Sequence, residues 1–548
     1  MSNKFRAGIA GAAGAVVAFG LAELVHGIYD PVPSVFVSLA QSFIELTPGG
    51  FATKAIETLG TADIPILVTS LVIGALVVAG LLGILSLRRP FAALAVVGIL
   101  AVVAIVAAFA QPFVSPVATV VTVVAALAAG CIVTRALLAA AGLTVAGASP
   151  KGGSTAADEI PYSPAVRSRE AHSEEGIAVN RRNFIVLSGG AAVAGLAAAG
   201  VGRVLAGKAG QEAAAPKRLK FPTEPASNKK AVTHETLQKP PADASIDVPG
   251  MLPLITPAKD FYLIDTELSS PRIDVNKWTL KVKGAVDNPI ELSYKDLLGL
   301  STREADITLS CVSNNVGGGL ISNGRWTGVL LSDVLAEAGV SRDKISRASR
   351  QLVGRSVDGW TSGFKTDIAL DGREALVAFG LDGSELPVKH GYPVRLVVPG
   401  LYGYVSATKW LSEIELTNWN FDAYWIQRTW SKEGPIKTES RIDTVKNGDN
   451  FSAGSTVHIG GVAWAPHRGI SKVEVSTDYG RTWNEARLAK QLDVDTWRQY
   501  VYDWDAKPGD HTFQVRATDG EGHTQTDKVS RPHPSGASGY HTINASVS

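Results

Sequence analysis

The chain has 548 residues, with 52 Lys and Arg against 51 Asp and Glu, and a net charge of +1 at pH 7. This length exceeds one ordinary hydrophobic core, so two or three domains are expected. The near-neutral charge predicts no nucleic-acid partner. Two cysteines, Cys131 and Cys311, are too few for a disulfide framework.

The first third of the chain consists largely of Ala, Val, Leu and Gly, and later residues carry most of the charge and Trp. A bilayer-spanning helix needs roughly 20 apolar residues. Five segments reach that length: Ala7–Gly27, Ile64–Leu87, Phe91–Ala110, Val117–Leu138 and Phe184–Leu205. We predict a four-helix transmembrane region over 1–147 and a fifth helix over 184–206. The fifth segment is richer in Gly and Ala, and a removed signal or a buried helix is its alternative.

The basic residues near these segments fall on one side if the segments alternate across a membrane. They are Lys4, Arg6, Arg88, Arg89, Arg135, Arg181 and Arg182. Basic residues favour the cytoplasmic face. We therefore predict a multi-pass protein of the cell membrane, with a cytoplasmic N-terminus and an extracytoplasmic region after about Lys208. Tyr29 to Asp63 is interpreted as a polar outer loop.

The stretch Asn180–Leu187 resembles a twin-arginine export signal, because paired Arg181 and Arg182 precede Phe184 and an apolar run. That route exports folded proteins, which suits a domain that acquires a complex cofactor in the cytoplasm. Paired arginines are also ordinary cytoplasmic anchors of a helix, so both interpretations stand.

The apolar segments are expected to anchor the chain or to dock a partner. His26 is the only histidine near them and no Cys-x-x-Cys-His occurs, so haem ligation is not expected there. Transport is the alternative, although charges that would mark a pathway are nearly absent.

The remaining sequence suggests two linkers and two folded regions. Composition predicts a cytoplasmic linker over 148–183 and an extracytoplasmic tether over 207–250, with structured sequence from about Met251. Strand and helix patterns mix over 251–420, which predicts an α+β domain. Examples are strands at Trp278–Gly284 and Tyr392–Pro399 and a helix at Leu330–Gly339.

From about Asn450 the pattern becomes all-β. Evenly spaced apolar runs alternate with turns: Thr456–Val462, Ser471–Ser476, Arg498–Trp504 and His511–Ala517. This spacing is typical of a small antiparallel sandwich. We predict an immunoglobulin-like β-sandwich over 421–548, without the cysteine pair of antibody domains.

Three sequence blocks occur in order in the soluble part. They are Thr308–Asn314 with Asn323–Leu331, then Leu386–Gly400 with Lys409–Leu411, then Val473–Trp483. From about Phe261 onward the chain thereby resembles the sulfite oxidase family of molybdopterin enzymes. The resemblance implies a sulfite-oxidase-type molybdopterin domain, a molybdenum–molybdopterin cofactor, and a C-terminal dimerisation domain that would form a homodimer.

The same resemblance assigns Cys311 as the catalytic residue and the metal ligand. A thiolate is the soft donor that a protein offers to molybdenum, and the polar and glycine residues after Cys311 suit an open cavity. Without the resemblance, a lone cysteine is more simply a small buried hydrophobe.

Six further residues are expected to bind the cofactor: Phe261, Asn314, Asp358, His390, Arg395 and Lys409. The last three would offer charge and hydrogen-bond donors to the pterin and its phosphate, and surface charge beside a core strand is their alternative. Phe261 begins the segment that opens the cofactor cleft in the family. Asp358 is equally well explained as a turn aspartate.

The substrate is less well defined, because arginines that hold sulfite in the family are missing. Leu263 and Ile264 stand in the cleft-opening segment, and Val312 follows Cys311. We expect two-electron chemistry outside the cytoplasm on a small sulfur compound, or on an S- or N-oxide, with a neutral substrate favoured. Electrons would pass through a separate carrier, a cytochrome or a quinone-linked protein. The alternatives are a sulfite dehydrogenase proper, a non-catalytic membrane-tethered interaction protein, and a transporter with an external domain.

Overall fold

The computed structural model describes residues 2–29, 31–48, 51, 63–111, 114–143, 171–213, 217–219, 232–266, 268 and 270–548, without the side chains of 63–65, 171–181 and 207–213. The predicted linker from 148 to 170 lies outside the described residues, as do 214–216 and 220–231 of the predicted tether. The chain forms two compact units, Met1–Ala213 and Ala214–Ser548.

The first unit is helical in its described residues. Its helices are α1 (Asn3–Ile28), α2 (Val35–Leu46), α3 (Asp63–Ser86), α4 (Pro90–Phe109), α5 (Pro116–Ala140) and α6 (Ala171–Ala213). Proline opens α4 and α5, at a position where its missing N–H leaves no helical bond unmade. All but α2 contain stretches long and apolar enough to cross a membrane, which confirms the five predicted apolar helices in length and composition.

Helix α1 packs closely against three other helices of this unit because it carries glycines at the contacts. A Cβ atom added at Gly11 would lie 2.2 Å from the carbonyl oxygen of Ala79 in α3. At Gly14 and Gly20 it would lie 2.5 Å and 2.2 Å from main-chain oxygens of α5 and α6. Any larger residue at these positions would push the helices apart.

The stretch predicted as an outer loop contains α2, which begins because the Ser34 side chain accepts a hydrogen bond from the Val37 N–H at 3.3 Å. One predicted boundary in the first unit is wrong. Residues 171–183, predicted as linker, belong to α6. The alanine, glutamate and arginine residues there are good helix formers and allow the helix to start early.

The second unit is rich in β-structure. Its helices are α7 (Tyr294–Leu298), α8 (Leu331–Glu337) and α9 (Gly403–Ser406). Its strands are β1 (His234–Glu235), β2 (Thr279–Gly284), β3 (Ile290–Ser293), β4 (Thr302–Ser310), β5 (Ile321–Leu330), β6 (Gln351–Ser356), β7 (Thr361–Lys365), β8 (Leu376–Leu381), β9 (Ser384–Glu385), β10 (Arg395–Val397), β11 (Leu411–Thr417), β12 (Glu439–Ile442), β13 (Asn450–Phe451), β14 (Thr456–Trp464), β15 (Ile470–Ser476), β16 (Asn484–Glu485), β17 (Arg487–Leu488), β18 (Arg498–Asp505), β19 (Gly509–Asp519) and β20 (His541–Val547).

Strands β1 to β11 form two mixed sheets. The first has the order β1-β4-β5-β8-β10 with β9 on β8, and the second has the order β3-β2-β11-β6-β7. In the first sheet, β4 pairs antiparallel with β5 from Arg303 and Gly328 to Ser310 and Ile321. Mixed sheets with short helices agree with the predicted α+β class. The apolar run Tyr392–Pro399 is a strand only at β10.

Strands β12 to β20 form two further sheets, with the orders β12-β14-β18-β17 and β13-β20-β19-β15-β16. Both sheets contribute side chains to one core, among them Ile459, Val473, Tyr500 and Phe513. All four predicted strands are present, as β14, β15, β18 and β19. Burial alternates clearly along β19, whereas much of β14 is buried continuously, so apolar runs between turns made these strands visible in the sequence.

The two halves of the second unit share a continuous core that crosses the predicted boundary near residue 420. Trp464 and Trp497 of the C-terminal half join buried residues of the first two sheets. The Trp497 indole N–H donates to the Leu254 carbonyl, and its main-chain N–H donates to Thr308 Oγ1, each at 2.7 Å. The two halves therefore pack as one body.

Structured sequence begins upstream of Met251, contrary to the prediction. Strand β1 pairs in parallel with the start of β4, and the Leu237 N–H donates to Glu304 Oε2 at 2.8 Å. Part of the predicted tether over 207–250 is therefore an edge strand. A two-residue strand carries no hydrophobic periodicity, so the sequence could not reveal it.

Candidate active site

Cys311 directly follows β4 in the first sheet. Its main-chain N–H donates to the Leu320 carbonyl at 2.9 Å, which continues the pairing of β4 with β5. Its Sγ atom accepts a hydrogen bond from the Ser313 N–H at 3.4 Å, and the side chain is half-buried. The sheet therefore holds the sulfur at a defined point where the strand ends.

The residues from Cys311 to Leu320 form a closed turn, which we call the cysteine loop. Asn314 Oδ1 accepts a hydrogen bond from the Leu320 N–H at 2.8 Å inside this loop. Asn314 is 3% exposed, and its Nδ2 has no hydrogen-bond partner within the described part of the chain. Buried amide donors are normally satisfied, so this one can serve a group that the polypeptide does not supply.

Strands β12 and β20 hold the cysteine loop from outside. Arg441 Nη1 donates to the Gly318 carbonyl and its Nε donates to Asp443 Oδ1, both at 2.6 Å. The His541 ring packs on Gly317, where an added Cβ would lie 2.2 Å from the ring, and Gly317 has a φ of +75°. Sequence reasoning missed Arg441 and His541, because no local pattern reports a contact between such distant segments.

Three of the predicted cofactor-binding residues, His390, Arg395 and Lys409, meet at one turn, and we call them the cationic group. A Cβ added at Gly391 would lie 3.1 Å from Arg395 Cβ and from Lys409 Cα. Arg395 Nη1 donates to the His390 carbonyl at 3.0 Å, and Lys409 Nζ donates to the Lys389 carbonyl at 2.8 Å.

Burial shifts the titration of the cationic group. It lowers the pKa of Arg395 to about 10, although Tyr262 and Asp265 act in the opposite direction. It lowers the pKa of Lys409 to about 8, despite the Asp265 carboxylate at 2.7 Å. Burial, together with the charges of Arg395 and Lys409, lowers the pKa of His390 to about 3, so His390 is neutral at pH 7.

The Arg395 guanidinium lacks a bonded anion in the described part of the chain. It is 4% exposed, donates to the main-chain carbonyls of His390 and Leu396, and lies 5.0 Å from the centre of the Trp326 ring. A buried charge without a bonded counter-charge is costly. A phosphate or a similar anion would supply the charge-assisted bonds that this fork-shaped donor can make.

The Cys311 thiol is better suited to bind a metal than to act as a free nucleophile. Burial raises the pKa of Cys311, while the hydrogen bond from Ser313 and the positive charge of Lys409 lower it to a lesser extent. Nucleophilic cysteines need a lowered pKa. A coordinated metal, in contrast, removes the thiol proton by binding the sulfur.

Phe261 packs against two residues of this region, Trp326 and His390. Its ring centre is 5.3 Å from that of Trp326 and 5.7 Å from that of His390, both edge-on. Edge-on aromatic pairs of this kind favour a fixed orientation. Phe261 thus supports His390 rather than offering a polar contact of its own.

Tyr262 is a site residue that sequence reasoning missed. Burial raises the pKa of its hydroxyl, and the charge of Cys311 raises it further while that of Arg395 lowers it. The hydroxyl therefore lies within the electrostatic reach of both Cys311 and Arg395. Its place directly after Phe261, in the cleft-opening segment, was the available signal.

Asp358 stabilises a turn, as in the alternative interpretation of this residue as a turn aspartate. Its Oδ1 accepts a hydrogen bond from the Trp360 N–H at 2.9 Å. Its negative charge still acts on Lys409 and Asp265, so it lies near the edge of the cationic group.

Apolar side chains stand exposed in the cleft-opening segment. Leu263 and Ile264 are 42% and 46% exposed, and the Ile264 carbonyl accepts a hydrogen bond from Lys409 at 3.1 Å. Arg325 does not take the place of the missing arginines, because it is bonded to the buried Asp306 at 2.8 and 2.9 Å. This segment therefore offers no guanidinium to an anionic substrate.

These residues fit a cofactor that combines a metal able to bind sulfur with an anionic organic part. The thiol would take the metal, and the open Asn314 amide and the Arg395 guanidinium would bind polar and anionic atoms of the organic part. Molybdenum–molybdopterin has both features.

Comparison with known proteins identifies related molybdopterin enzymes. A family model described as the oxidoreductase molybdopterin binding domain matches residues 267–425. Mitochondrial sulfite oxidase from Rattus norvegicus is 30% identical over 272 residues, which cover 43% of this chain and 49% of that protein. The uncharacterized oxidoreductase YuiH from Bacillus subtilis (strain 168) is 32% identical over 161 residues, which cover 29% of this chain and 76% of that protein.

The chain spans about half the length of the sulfite oxidases that it matches. A chain of the sulfane dehydrogenase SoxCD from Paracoccus pantotrophus superposes with a TM-score of 0.46 and 22% identity, covering 54% of this chain and 84% of that chain. From the matched domain and the coverage of YuiH, the chain belongs to the sulfite oxidase family of molybdopterin-dependent oxidoreductases, whose cofactor is molybdenum–molybdopterin.

Proposed function

We propose that this chain is a membrane-anchored oxidoreductase in which Cys311 is the protein ligand to molybdenum. One observation carries the proposal. The Cys311 thiol, an unpartnered buried amide on Asn314 and a buried guanidinium on Arg395 without a bonded carboxylate occur together in one fold region. When bound, the cofactor supplies two-electron redox chemistry, and the protein binds and orients it.

Each residue of the site has a separate task in this proposal. Asn314 Nδ2 donates to the organic part of the cofactor, and Arg395 and Lys409 hold its anionic atoms. His390 acts as a neutral hydrogen-bonding group, with Phe261 supporting its ring. Asp358 acts only through its charge, by favouring the protonated form of Lys409.

We propose a small, neutral substrate, such as a sulfur compound or an S- or N-oxide. The exposed side chains of Leu263 and Ile264 support this choice, because they offer no counter-charge and an anion without one is costly to desolvate. Sulfite dehydrogenation is the second candidate, favoured by the 30% identity to a sulfite oxidase.

The location and partners are part of the same proposal. The five apolar helices would anchor the chain in the cell membrane, with the N-terminus in the cytoplasm and the second unit outside. Electrons would pass to or from a separate cytochrome or quinone-linked carrier. The β-rich region over 421–548 would act as an immunoglobulin-like dimerisation domain.

Metal analysis of the two cysteine variants tests the ligand assignment. Cys311→Ser should lose most of its molybdenum and pterin, whereas Cys131→Ser should keep about one molybdenum per chain like the unaltered protein. X-ray absorption should show fewer sulfur ligands on the molybdenum that remains in Cys311→Ser than on that of the unaltered protein. Equal molybdenum in both variants, or no change in sulfur coordination, would overturn the proposal.

A substrate screen with artificial electron carriers tests the choice of substrate. Sulfoxides and N-oxides as oxidants, and thioethers and sulfite as reductants, should be compared on the purified full chain. We expect turnover with a neutral compound to exceed that with sulfite. Fast turnover with sulfite alone would establish the second candidate instead.

A further inference from the structure

The first unit contains a cavity of about 490 Å³ between helices α1, α3, α4 and α5, reached also by Val35 and Leu39 of α2. Its wall is almost wholly apolar, with Phe19, Leu82, Leu100 and Val103 among its residues. Protein interiors contain few voids larger than a water molecule, and ligand pockets measure roughly 300 to 1,000 Å³. The cavity is therefore of a size that holds a ligand.

The packing of α1 accounts for this space. Five small residues of α1 line the cavity: Gly11, Gly14, Ala15, Ala18 and Ala22. The two glycines have no side chain and each alanine carries a single methyl group, so this side of α1 leaves space between the helices. Apolar cavities remain free of water, so a long apolar chain is the fitting occupant.

One end of the cavity is basic. Arg135 lines it, and the turn with Arg88 and Arg89 lies between the lining residues Ser86 and Pro90. All three arginines are exposed, and none forms an ion pair in the described part of the chain. The Ser86 hydroxyl donates to a main-chain carbonyl of its own helix, at 2.7 Å. This end of the cavity therefore offers three positive charges to an anionic group.

We propose that this cavity binds an anionic glycerophospholipid, with an acyl chain inside and the phosphate at Arg88, Arg89 and Arg135. Basic pockets between membrane helices on the cytoplasmic side bind anionic headgroups in this way. A zwitterionic lipid would fill the apolar space equally well but would leave the three charges unbalanced. The inference rests on the proposed insertion of these helices into a membrane.

Lipid retained by the detergent-purified full chain tests the proposal. Native mass spectrometry after exchange into equal phosphatidylglycerol and phosphatidylcholine should show about one phosphatidylglycerol per chain, with at least fivefold less phosphatidylcholine. Val103→Trp, which fills the cavity, should reduce retained lipid about tenfold. Val102→Trp is the matched control, because Val102 is on the same helix and exposed but does not line the cavity.

A charge variant separates headgroup binding from chain binding. Arg135→Gln should keep a lipid but lose most of the preference for phosphatidylglycerol, and Arg203→Gln, an exposed arginine of α6, should not. Equal retention in the two tryptophan variants, or unchanged preference in Arg135→Gln, would overturn the inference. If Val103→Trp does not fold, Leu100→Phe serves as the filling variant.

The failure of this inference is distinguishable from failure of the proposed function. A protein recovered from the soluble fraction would remove the membrane anchor itself. A protein recovered from membranes that keeps no lipid, or keeps both lipids equally, would leave the anchor in place and remove only the lipid site.

Discussion

Arg441 donates a 2.6 Å hydrogen bond from its guanidinium to the main-chain carbonyl of Gly318, and so joins β12 to the cysteine loop. The same guanidinium is bonded to Asp443 at 2.6 Å, and both side chains are buried. The pair gives the loop a fixed support on the opposite side from the sheet. We infer that the β-rich half of the second unit positions Cys311, in addition to any role in dimerisation.

Replacing Arg441 should therefore loosen the cysteine loop. Arg441→Met leaves Asp443 buried without its partner, and we expect a loss of about 3 to 5 kcal/mol in the free energy of unfolding. Molybdenum content should fall at least severalfold, with a smaller loss in Arg441→Lys. Denaturant unfolding and metal analysis measure these effects. A destabilised variant that keeps full molybdenum and an unchanged sulfur signal in X-ray absorption would contradict the positioning role.

Asn314→Asp should separate the two functions of the Asn314 side chain. The carboxylate can still accept the Leu320 N–H, but it replaces the unpartnered NH₂ donor with an acceptor. We expect the fold to survive with a loss of roughly 1 to 3 kcal/mol in cofactor binding, because a buried donor–acceptor contact becomes repulsive. Cofactor retention after gel filtration measures it, and retention equal to that of the unaltered protein would show that Nδ2 does not contact the cofactor.

Cofactor binding should weaken as the pH rises above about 8. In the cofactor-free protein burial lowers the pKa of Lys409 to about 8, so the amine loses its charge above that pH and attracts an anion less. The loss of affinity should reach at most about tenfold per pH unit, the limit for one linked proton. Pterin fluorescence of the released cofactor over pH 7 to 10 measures it, and Lys409→Arg should retain cofactor to higher pH.

Unfolding of the protein at high pH does not explain this loss of affinity for the cofactor. Between about pH 8 and 10.5 the unfolded state binds more protons at Lys409 than the folded state does, so the free energy of unfolding contributed by this group rises with pH. If cofactor retention falls with pH equally in Lys409→Arg and in the unaltered protein, the effect belongs to another group.

Acid should destabilise the second unit through His541. Burial, aided by the charges of Arg441 and Lys446, lowers the pKa of His541 to about 4 from 6.5. Between these values the unfolded state binds more protons, so stability is present above about pH 6.5 and is lost as pH falls toward 4, by up to about 1.4 kcal/mol per pH unit. His541→Asn should flatten this slope in denaturant titrations, and the exposed His523→Asn should not. Equal slopes in all three proteins would exclude His541 as the source.

Export should depend on the arginine pair before the apolar part of α6. With Arg181 and Arg182 both replaced by lysine, we expect surface protease to reach the second unit at least tenfold less, because that export route reads the arginine pair itself. Replacing Arg88 and Arg89 by lysine keeps the positive charge of another pair and is the control. Normal protease access in the first variant would leave the pair as an ordinary helix anchor.

The parts of the fold that were predictable are those with a long regular pattern. The apolar helices and the strands β14, β15, β18 and β19 repeat their burial over many residues, so composition and period reveal them. Strand β1 is too short for a pattern. Helix α2 has 12 residues, fewer than a membrane crossing needs, so a search for long apolar segments passed over it although Ser34 caps its start. The start of α6 was missed because its first turns are polar.

Site residues were predictable where they stand in short sequence motifs. Cys311, Arg395 and Lys409 stand in motif blocks, and in the structure Arg395 and Lys409 both lie beside the turn at Gly391. Arg441 and His541 could not be found in this way, because their role depends on strands that are remote in sequence meeting one loop. Asp358 illustrates a different difficulty. The sequence around it fits a turn aspartate and a cofactor contact equally well, so the sequence alone does not distinguish the two roles.

The contact between His541 and Gly317 also sets an order of events during synthesis. Ribosomes complete β4 and the cysteine loop long before they reach β20, and the loop lacks one of its two outer supports until β20 has paired with β19. In a growing chain, Cys311 therefore stands in a loop that is not yet fully supported. Loading of the cofactor then belongs after translation of the second unit, as a maturation step on a folded protein.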